Sequence, residues 1–279
     1  MAGRGVAQRR VVRIRRGEAA RARDQLVVEE PLELRVAGRP VGVTMRTPGD
    51  DVELAIGYSI TEGLIRGHGD VQAVRACAPT GGLGEYNTLS VDLRPGVPVP
   101  DPSLDRLHVT SSSCGVCGKA SVEAVRVRCR PVADPLAVPA ATLAGVPERV
   151  RSRQRLFERT GGLHAAALVA GDGQPFCVRE DIGRHNAVDK AVGWAAAQGR
   201  LPLVGAILFV SGRCSFEIVQ KAAVAGVPLV AAVSAASSLA VALAEELGIT
   251  LVGFLRGDGM NVYCHPGRVR PGAAADGSV

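Results

Sequence analysis

Lysine is nearly missing from this chain of 279 residues. Only Lys119, Lys190 and Lys221 occur, so 30 of the 33 basic residues are arginine. Where positive charge alone is needed arginine stands, so each of the three lysines draws attention. Aromatic side chains are scarce as well. Five Phe, three Tyr and one Trp are too few for a platform on which unpaired bases stack. Excess charge is confined to one end. Arg4, Arg9, Arg10, Arg13, Arg15, Arg16, Arg21 and Arg23 against Glu18 give residues 1–23 a net +7, leaving −1 for the rest of a chain of formal charge +6. The body is therefore not marked as a nucleic-acid binder. Apolar residues at 47% and charged residues at 22% exclude wholesale disorder.

Targeting features are lacking too. Arg9-Arg10 is a twin-arginine pair, but Arg13, Arg15 and Arg16 interrupt the apolar run of about 7–15 residues that an export signal needs. An uncharged run of 23 residues lies between Lys221 and Glu245. It contains Gly226-Val-Pro228 and three serines, so it reads as helix end, turn, buried strand and helix start rather than as a membrane span. The expectation is a cytoplasmic protein. Seven cysteines (Cys77, Cys114, Cys117, Cys129, Cys177, Cys214, Cys264) without an export signal do not make a disulfide framework. Cys114-Gly-Val-Cys117 is the one closely spaced pair. A structural zinc site needs a second such pair or two nearby histidines, and no metal site is expected.

The first 25 residues read as a solvated, flexible Arg-rich tail. An N-terminal α+β portion follows over 26–135, with a hairpin around Ala37-Gly38-Arg39-Pro40, a helix over 50–65, and strands over 71–77 and 86–93. Residues 110–118 have no periodicity and form a small-residue loop. A second, α/β domain occupies 136–268, and residues 269–279 read as a further flexible tail. Its pattern gives a basic helix over 140–159 and strands over 165–170 and up to 179. Helices over 184–197, 214–225 and 237–247 then alternate with strands over 203–210, 228–233 and 250–255. Continuous apolar strands alternating with helices mark a sheet buried on both faces.

Ligands of open α/β sheets sit beyond the carboxyl ends of the strands. Those ends read Arg179-Glu-Asp-Ile-Gly-Arg-His-Asn186, Ser211-Gly-Arg-Cys-Ser215, Ser234-Ala-Ala-Ser-Ser238 and Arg256-Gly-Asp-Gly-Met-Asn261. Arg184 and Arg213 stand beside helix N-termini, and Arg256 ends a strand. Guanidinium forks and free backbone N–H groups suit an anionic, phosphate-bearing ligand; the plainer alternative is a set of ordinary capped turns. His185 and Asp189, four apart, place a carboxylate where it can orient an imidazole. Glu217 and Lys221 have the spacing of a helix-surface salt bridge. The Cys114–Cys117 loop, preceded by three serines and followed by Gly118 and Lys119, suits an exposed thiolate that carries a group better than a thioredoxin-like motif.

Taken together, Ser112-Ser-Cys-Gly-Val-Cys-Gly118, Thr160-Gly-Gly-Leu-His164, Arg179–Asn186, Ser211–Ser215, Val230–Ser238 and Phe254-Leu-Arg-Gly-Asp-Gly259 resemble the FdhD family over residues 26–266. These are the sulfur carriers required for formate dehydrogenase. The resemblance implies a cytidine-deaminase-like α/β domain with an N-terminal β-rich portion. It implies a sulfurtransferase that takes persulfide sulfur from a cysteine desulfurase on Cys114, with Cys117 assisting. The sulfur then passes to the molybdenum (or tungsten) bis(molybdopterin guanine dinucleotide) cofactor before that cofactor enters formate dehydrogenase. Phe254, Leu255, Arg256, Gly257, Asp258, Gly259, Arg184, His185, Asn186, Ser211, Gly212, Arg213 and Ser234 would contact the cofactor. Its two guanine halves favour a homodimer. Deaminase chemistry is not implied: Ala187 stands where His-x-Glu would need a glutamate, and Arg213-Cys214-Ser215 does not match Pro-Cys-x-x-Cys. Two other functions remain open. One is a chaperone that holds the cofactor without sulfur chemistry, which has no use for two exposed thiols. The other is a dithiol oxidoreductase, which has no use for a phosphate-binding edge.

Overall fold

A computed structural model describes residues 5–77, 87–99, 109–110, 129 and 131–272. The chain opens with strands β1 (Val6–Arg15) and β2 (Glu18–Val27), an antiparallel ribbon in full register from Val6↔Val27 to Arg15↔Glu18. This corrects the expectation of a flexible tail. The turn holds Arg16 at φ 53° and Gly17 at φ 87°, the paired positive φ values of a type I′ hairpin. Its faces are arginine-rich rather than apolar, so the sequence shows no apolar alternation of the kind that marks a half-buried strand. The base of the ribbon is fixed by Val28 N–H donating to Gly5 O at 3.0 Å and Arg159 Nε donating to Gln25 Oε1 at 3.0 Å.

Strands β3 (Glu30–Val36) and β4 (Arg39–Arg46), helix α1 (Asp51–Thr61), and strands β5 (Val71–Ala76), β6 (Thr88–Leu93) and β7 (Val109–Thr110) build the N-terminal unit. Its sheet runs β5-β6-β3-β4-β7. Alternate residues Leu32, Leu34 and Val36 meet Leu54, Ile56 and Ile60 of α1 in one core. The expected hairpin, helix and strands are present.

The second unit begins with β8 (Val138–Pro139). Three short helices follow, α2 (Ala140–Ala144), α3 (Val146–Arg151) and α4 (Arg155–Thr160). The single basic helix expected over 140–159 is broken because Gly145 ends α2 and Pro147 opens α3, a position that tolerates proline only at a helix start. Then come β9 (His164–Val169), β10 (Pro175–Asp181), α5 (Arg184–Ala197), β11 (Ile207–Val210), α6 (Phe216–Val224), β12 (Leu229–Ala232), α7 (Ser238–Glu246), β13 (Thr250–Arg256), β14 (Gly259–Cys264) and β15 (Val269–Arg270). The main sheet is ordered β10-β9-β11-β12-β13-β14. Strands β11, β12 and β13 are parallel, whereas β9 and β14 run against their neighbours. β15 pairs in parallel with β8, so residues 269–270 belong to the fold and not to the expected tail. The sheet is buried on both faces. Leu168, Leu208 and Val230 pack under α5, α6 and α7, while Val169, Phe209 and Ala231 pack under α2 and α3. Among the described residues no helix is long and apolar enough to cross a membrane; the 23-residue uncharged run forms the end of α6, β12 and most of α7.

Two of the three lysines explain how the units join. Lys190 of α5 is 1% exposed and meets Asp181 at 2.7 Å, also donating to Thr47 O at 2.9 Å. Lys221 of α6 meets Asp189 at 2.9 Å, Glu62 at 3.1 Å and Thr61 Oγ1 at 2.9 Å. Burying a charge is tolerable only with such a full set of partners.

Candidate functional site

β10 lies antiparallel to β9, and β9 antiparallel to β11, so β10 points the same way as the three parallel strands. The carboxyl ends of four strands therefore share one edge, with the amino end of β9 among them. Gly183–Arg184, Ser211–Arg213, Ser234 and Phe254–Gly259 all reach this edge. Backbone bonds lock the loops together. Cys214 N–H donates to Ala235 O at 3.0 Å, Ser237 N–H to Cys214 O at 3.0 Å, and Phe254 N–H to Ser234 O at 3.1 Å. Arg256 Nε donates to Val233 O at 2.8 Å. Phe254 has φ 51° and β13 bulges between Gly253 and Arg256. That twist turns the Phe254 ring outward (43% exposed) and sends Leu255 into the core.

The predicted residues divide into two groups. Arg213, Arg256, Gly257, Asp258 and Gly259 are exposed on the edge, and Arg184, His185, Ser211 and Ser234 are half-buried there. Arg213 makes no hydrogen bond or ion pair with the described residues. Gly212 is closely packed: a Cβ would lie 3.2 Å from His164 Nδ1, so that ring would have to shift, and 3.8 Å from Arg184 Cδ. Asn186, by contrast, is buried and committed to the protein. Its amide donates to Met45 O and Asp181 Oδ1, and its carbonyl accepts from Thr44. Leu255 likewise offers only backbone to a ligand.

His185 does not pair with Asp189. Its Nε2 lies 3.0 Å from Glu217 Oε2 and 3.3 Å from Ser215 Oγ, while Asp189 is taken by Lys221 and Thr61. Both expected i,i+4 pairs are thus replaced by contacts between α5 and α6 and between α6 and α1. His164, at the start of β9, is held below the ordinary imidazole value by burial, and further by Arg184 and His185.

A cavity of about 660 Å³ opens at this edge beside Ser211, His164 and Val233. Across it the guanidinium of Arg151 stands 4.2 Å over the Phe157 ring, and both side chains line the cavity with Glu148. A guanidinium–aromatic pair is a surface for a planar ring. Neither Arg151 nor Phe157 was expected at the site, because the 140–159 stretch reads as one amphipathic helix and not as a cavity wall. The sequence hint is Thr160–His164, which leads into this wall.

Cys114 and Cys117, the expected sulfur carriers, lie outside the described residues, as does Lys119. The described cysteines include four that suit no nucleophilic role. Burial pushes the Cys129 thiol up to about 11 and those of Cys177 and Cys214 to about 12. Cys264 is also raised by burial. A thiol held so high is a poor thiolate at neutral pH. Among the described residues no cluster of three His, Cys, Asp or Glu could hold a metal ion.

The FdhD/NarQ family model matches residues 27–270. A "Sulfur carrier protein FdhD" of Mycolicibacterium paratuberculosis is 56% identical over 266 residues, covering 94% of this chain and 98% of its own. That of Streptomyces coelicolor is 53% identical, covering 98% of each chain. A crystal structure of a candidate formate dehydrogenase accessory protein from Desulfotalea psychrophila superposes with a TM-score of 0.75 at 24% identity, over 95% of this chain and 99% of its own. With a match spanning its main sheet, its N-terminal unit and the edge described above, the chain belongs to the FdhD/NarQ family.

Proposed function

We propose that the protein is a sulfur carrier for formate dehydrogenase, as its relatives' names describe them. In this reading the thiolate of Cys114 attacks the outer sulfur of a persulfide on a cysteine desulfurase. The sulfur–sulfur bond of the donor breaks, its cysteine leaves as thiolate, and the sulfane sulfur remains on Cys114. Cys117 assists its release. The sulfur is passed to a molybdenum or tungsten bis(molybdopterin guanine dinucleotide), bound as substrate at the carboxyl edge before it enters formate dehydrogenase.

The observation that carries the reading is the gathering of Arg184, Arg213 and Arg256 on one edge beside a cavity walled by Arg151 and Phe157. Arginines suit the cofactor's phosphates, and the Arg151–Phe157 pair suits a guanine ring. Exposed glycines at 257 and 259 leave the backbone open to close approach. The raised thiols of Cys129, Cys177 and Cys214 support assigning the sulfur to the 114–117 pair. The sheet order β10-β9-β11-β12-β13 with β9 reversed supports a cytidine-deaminase-like ancestry without its zinc chemistry. A twofold pair of chains would match the two guanine halves.

Intact-mass spectrometry after incubation with a desulfurase and cysteine tests the reading. One added sulfur is expected, lost in Cys114→Ala and kept in Cys117→Ala. A Cys114→Ala protein that still loads sulfur on the loop overturns the assignment. A wild type that binds GDP yet never loads sulfur favours the plain cofactor chaperone.

A further inference from the structure

All of the ribbon β1–β2 except its last residue, Val27, lies outside the stretch matched by the family model, and the ribbon takes no part in the chemistry above. Residues 6–27 carry seven arginines (Arg9, Arg10, Arg13, Arg15, Arg16, Arg21, Arg23) against Glu18 and Asp24, a net +5. All seven are exposed. Their charge is not neutralised at home: the single ion pair described there, Arg13 with Asp24, spans 3.5 Å at the surface. Strand alternation puts Val12 and Ile14 on the same face as Arg10, Arg21 and Arg23. These two aliphatic side chains are 66% and 69% exposed. Arginine around a small apolar centre is the composition of a protein–protein contact.

The position of the ribbon is as telling as its charge. Its base rests on α4 and the Gly161–Gly162 turn. A Cβ on Gly162 would lie 3.2 Å from Val27 Cγ1, and one on Gly5 would lie 3.3 Å from Leu156. Phe157, Gly161 and Gly162 line the cavity at the carboxyl edge. One short segment therefore forms the wall of the ligand cavity on one side and the footing of a basic arm on the other.

We infer that the ribbon is a docking arm for an acidic face of the protein that receives the ligand from this edge. The inference rests on the reading above, in which that recipient is formate dehydrogenase. Other occupants fit the ribbon less well. It contains no aromatic residue to stack on bases. Its arginines lie on both faces, whereas a bilayer surface would meet only one. The remainder of this chain has a net charge of +1, so a second copy offers no net counter-charge. A protruding ribbon clasped by a protein can use both faces, and long-range attraction would speed its encounter.

The test measures binding of the full chain to apo-formate dehydrogenase of the source organism, with GDP affinity and sulfur loading measured in parallel. The variant Arg10→Glu/Arg21→Glu/Arg23→Glu leaves the turn and the anchored base intact. It should weaken binding at least about 10-fold, with GDP affinity and sulfur loading unchanged. Wild-type binding should weaken as salt is raised, because exposed charges are screened. A second variant, Val12→Ser/Ile14→Ser, should also weaken binding without altering the salt dependence. Ribbon-dependent binding supports the docking arm even if Cys114 never loads sulfur, and in that case the carrier reading alone fails. Unchanged affinity in both variants overturns the arm. So does ribbon-dependent binding to the desulfurase, to phosphatidylglycerol vesicles or to duplex DNA in place of the apoenzyme.

Discussion

Gly57 of α1 and Gly193 of α5 face each other where the two helices cross, backbone against backbone. A Cβ on Gly57 would lie 1.8 Å from Asp189 O, and one on Gly193 would lie 1.9 Å from Glu53 O. No side chain fits at either position. The crossing fixes the N-terminal unit on the helix that begins at Arg184, so the two halves of the chain meet as one solid piece beside the candidate site.

Gly193→Ala should therefore destabilise the fold at or above the upper end of overpacking costs, about 3 kcal/mol. The methyl meets backbone, which cannot swing aside. Thermal melting checks this; an unchanged midpoint would show that the helices are free to separate.

Lys221 is the hub of the second junction. Asp189, Glu62 and Thr61 surround it; burial lowers its pKa, but the two carboxylates outweigh that and hold it above the usual lysine value. Its contribution is present below the ordinary lysine pKa and lost only at strongly alkaline pH. Lys221→Met leaves Asp189 buried without its cation and should cost roughly 3–5 kcal/mol, much of which Lys221→Met/Asp189→Leu should recover. Urea denaturation of the wild type, the single variant and the double variant provides the comparison. A double variant no better than the single one would argue against this account.

The alternating apolar strands and helices of the second unit were legible in the sequence because each buried face leaves its own period. The carboxyl edge was legible because small residues and arginines interrupt those periods at every strand end. The scarcity of lysine singled out Lys190 and Lys221, although not their role as buried junctions. Side-chain partners were not legible. The spacing of His185 and Asp189 is correct for a helix pair, yet packing sends one toward Glu217 and the other toward Lys221. The basic ribbon hid because its alternation is arginine with small residues, and β14 hid because Gly257 and Gly259 read as a ligand loop although they also turn a hairpin. Arg151 and Phe157 carry no motif; only the folding of three short helices brings them across a cavity.

His164 gives the site a pH signature. Burial, Arg184 and His185 hold it below the ordinary imidazole value of 6.5, so the folded protein keeps it neutral when an unfolded chain would protonate. Above that ordinary value it has no effect on stability. As pH falls through it the unfolded state gains the proton first and stability drops, until the lower folded value is passed. His164→Gln should remove this part of the acid sensitivity. Denaturation midpoints of both proteins, taken at steps from neutral to mildly acidic pH, should converge in shape at neutrality and diverge below it. Parallel curves throughout would assign the acid sensitivity elsewhere.

Arg213 is the position at which the proposed ligand binding and sulfur loading can be tested separately. It is exposed at the head of α6 with no hydrogen bond or ion pair to the described residues, and Glu217, one helical turn on, lies against His185. Removing it therefore breaks no contact described in the fold. If it clasps a phosphate, Arg213→Ala should weaken GDP binding by about 1.5–3 kcal/mol, the range for a hydrogen bond to a charged group, or about 10- to 150-fold. Phe157→Ala should weaken the same binding through loss of the ring surface, with no change in its salt dependence, whereas Arg213→Ala should flatten that dependence. Sulfur loading on Cys114 should be untouched by either change, because in the proposed reading that step needs only the loop and the desulfurase. Calorimetric titration of GDP at two salt concentrations, with melting curves as controls, distinguishes the two contributions. Equal affinities for wild type and Arg213→Ala would retire the phosphate clasp at this position and leave Arg184 and Arg256 to hold the anion.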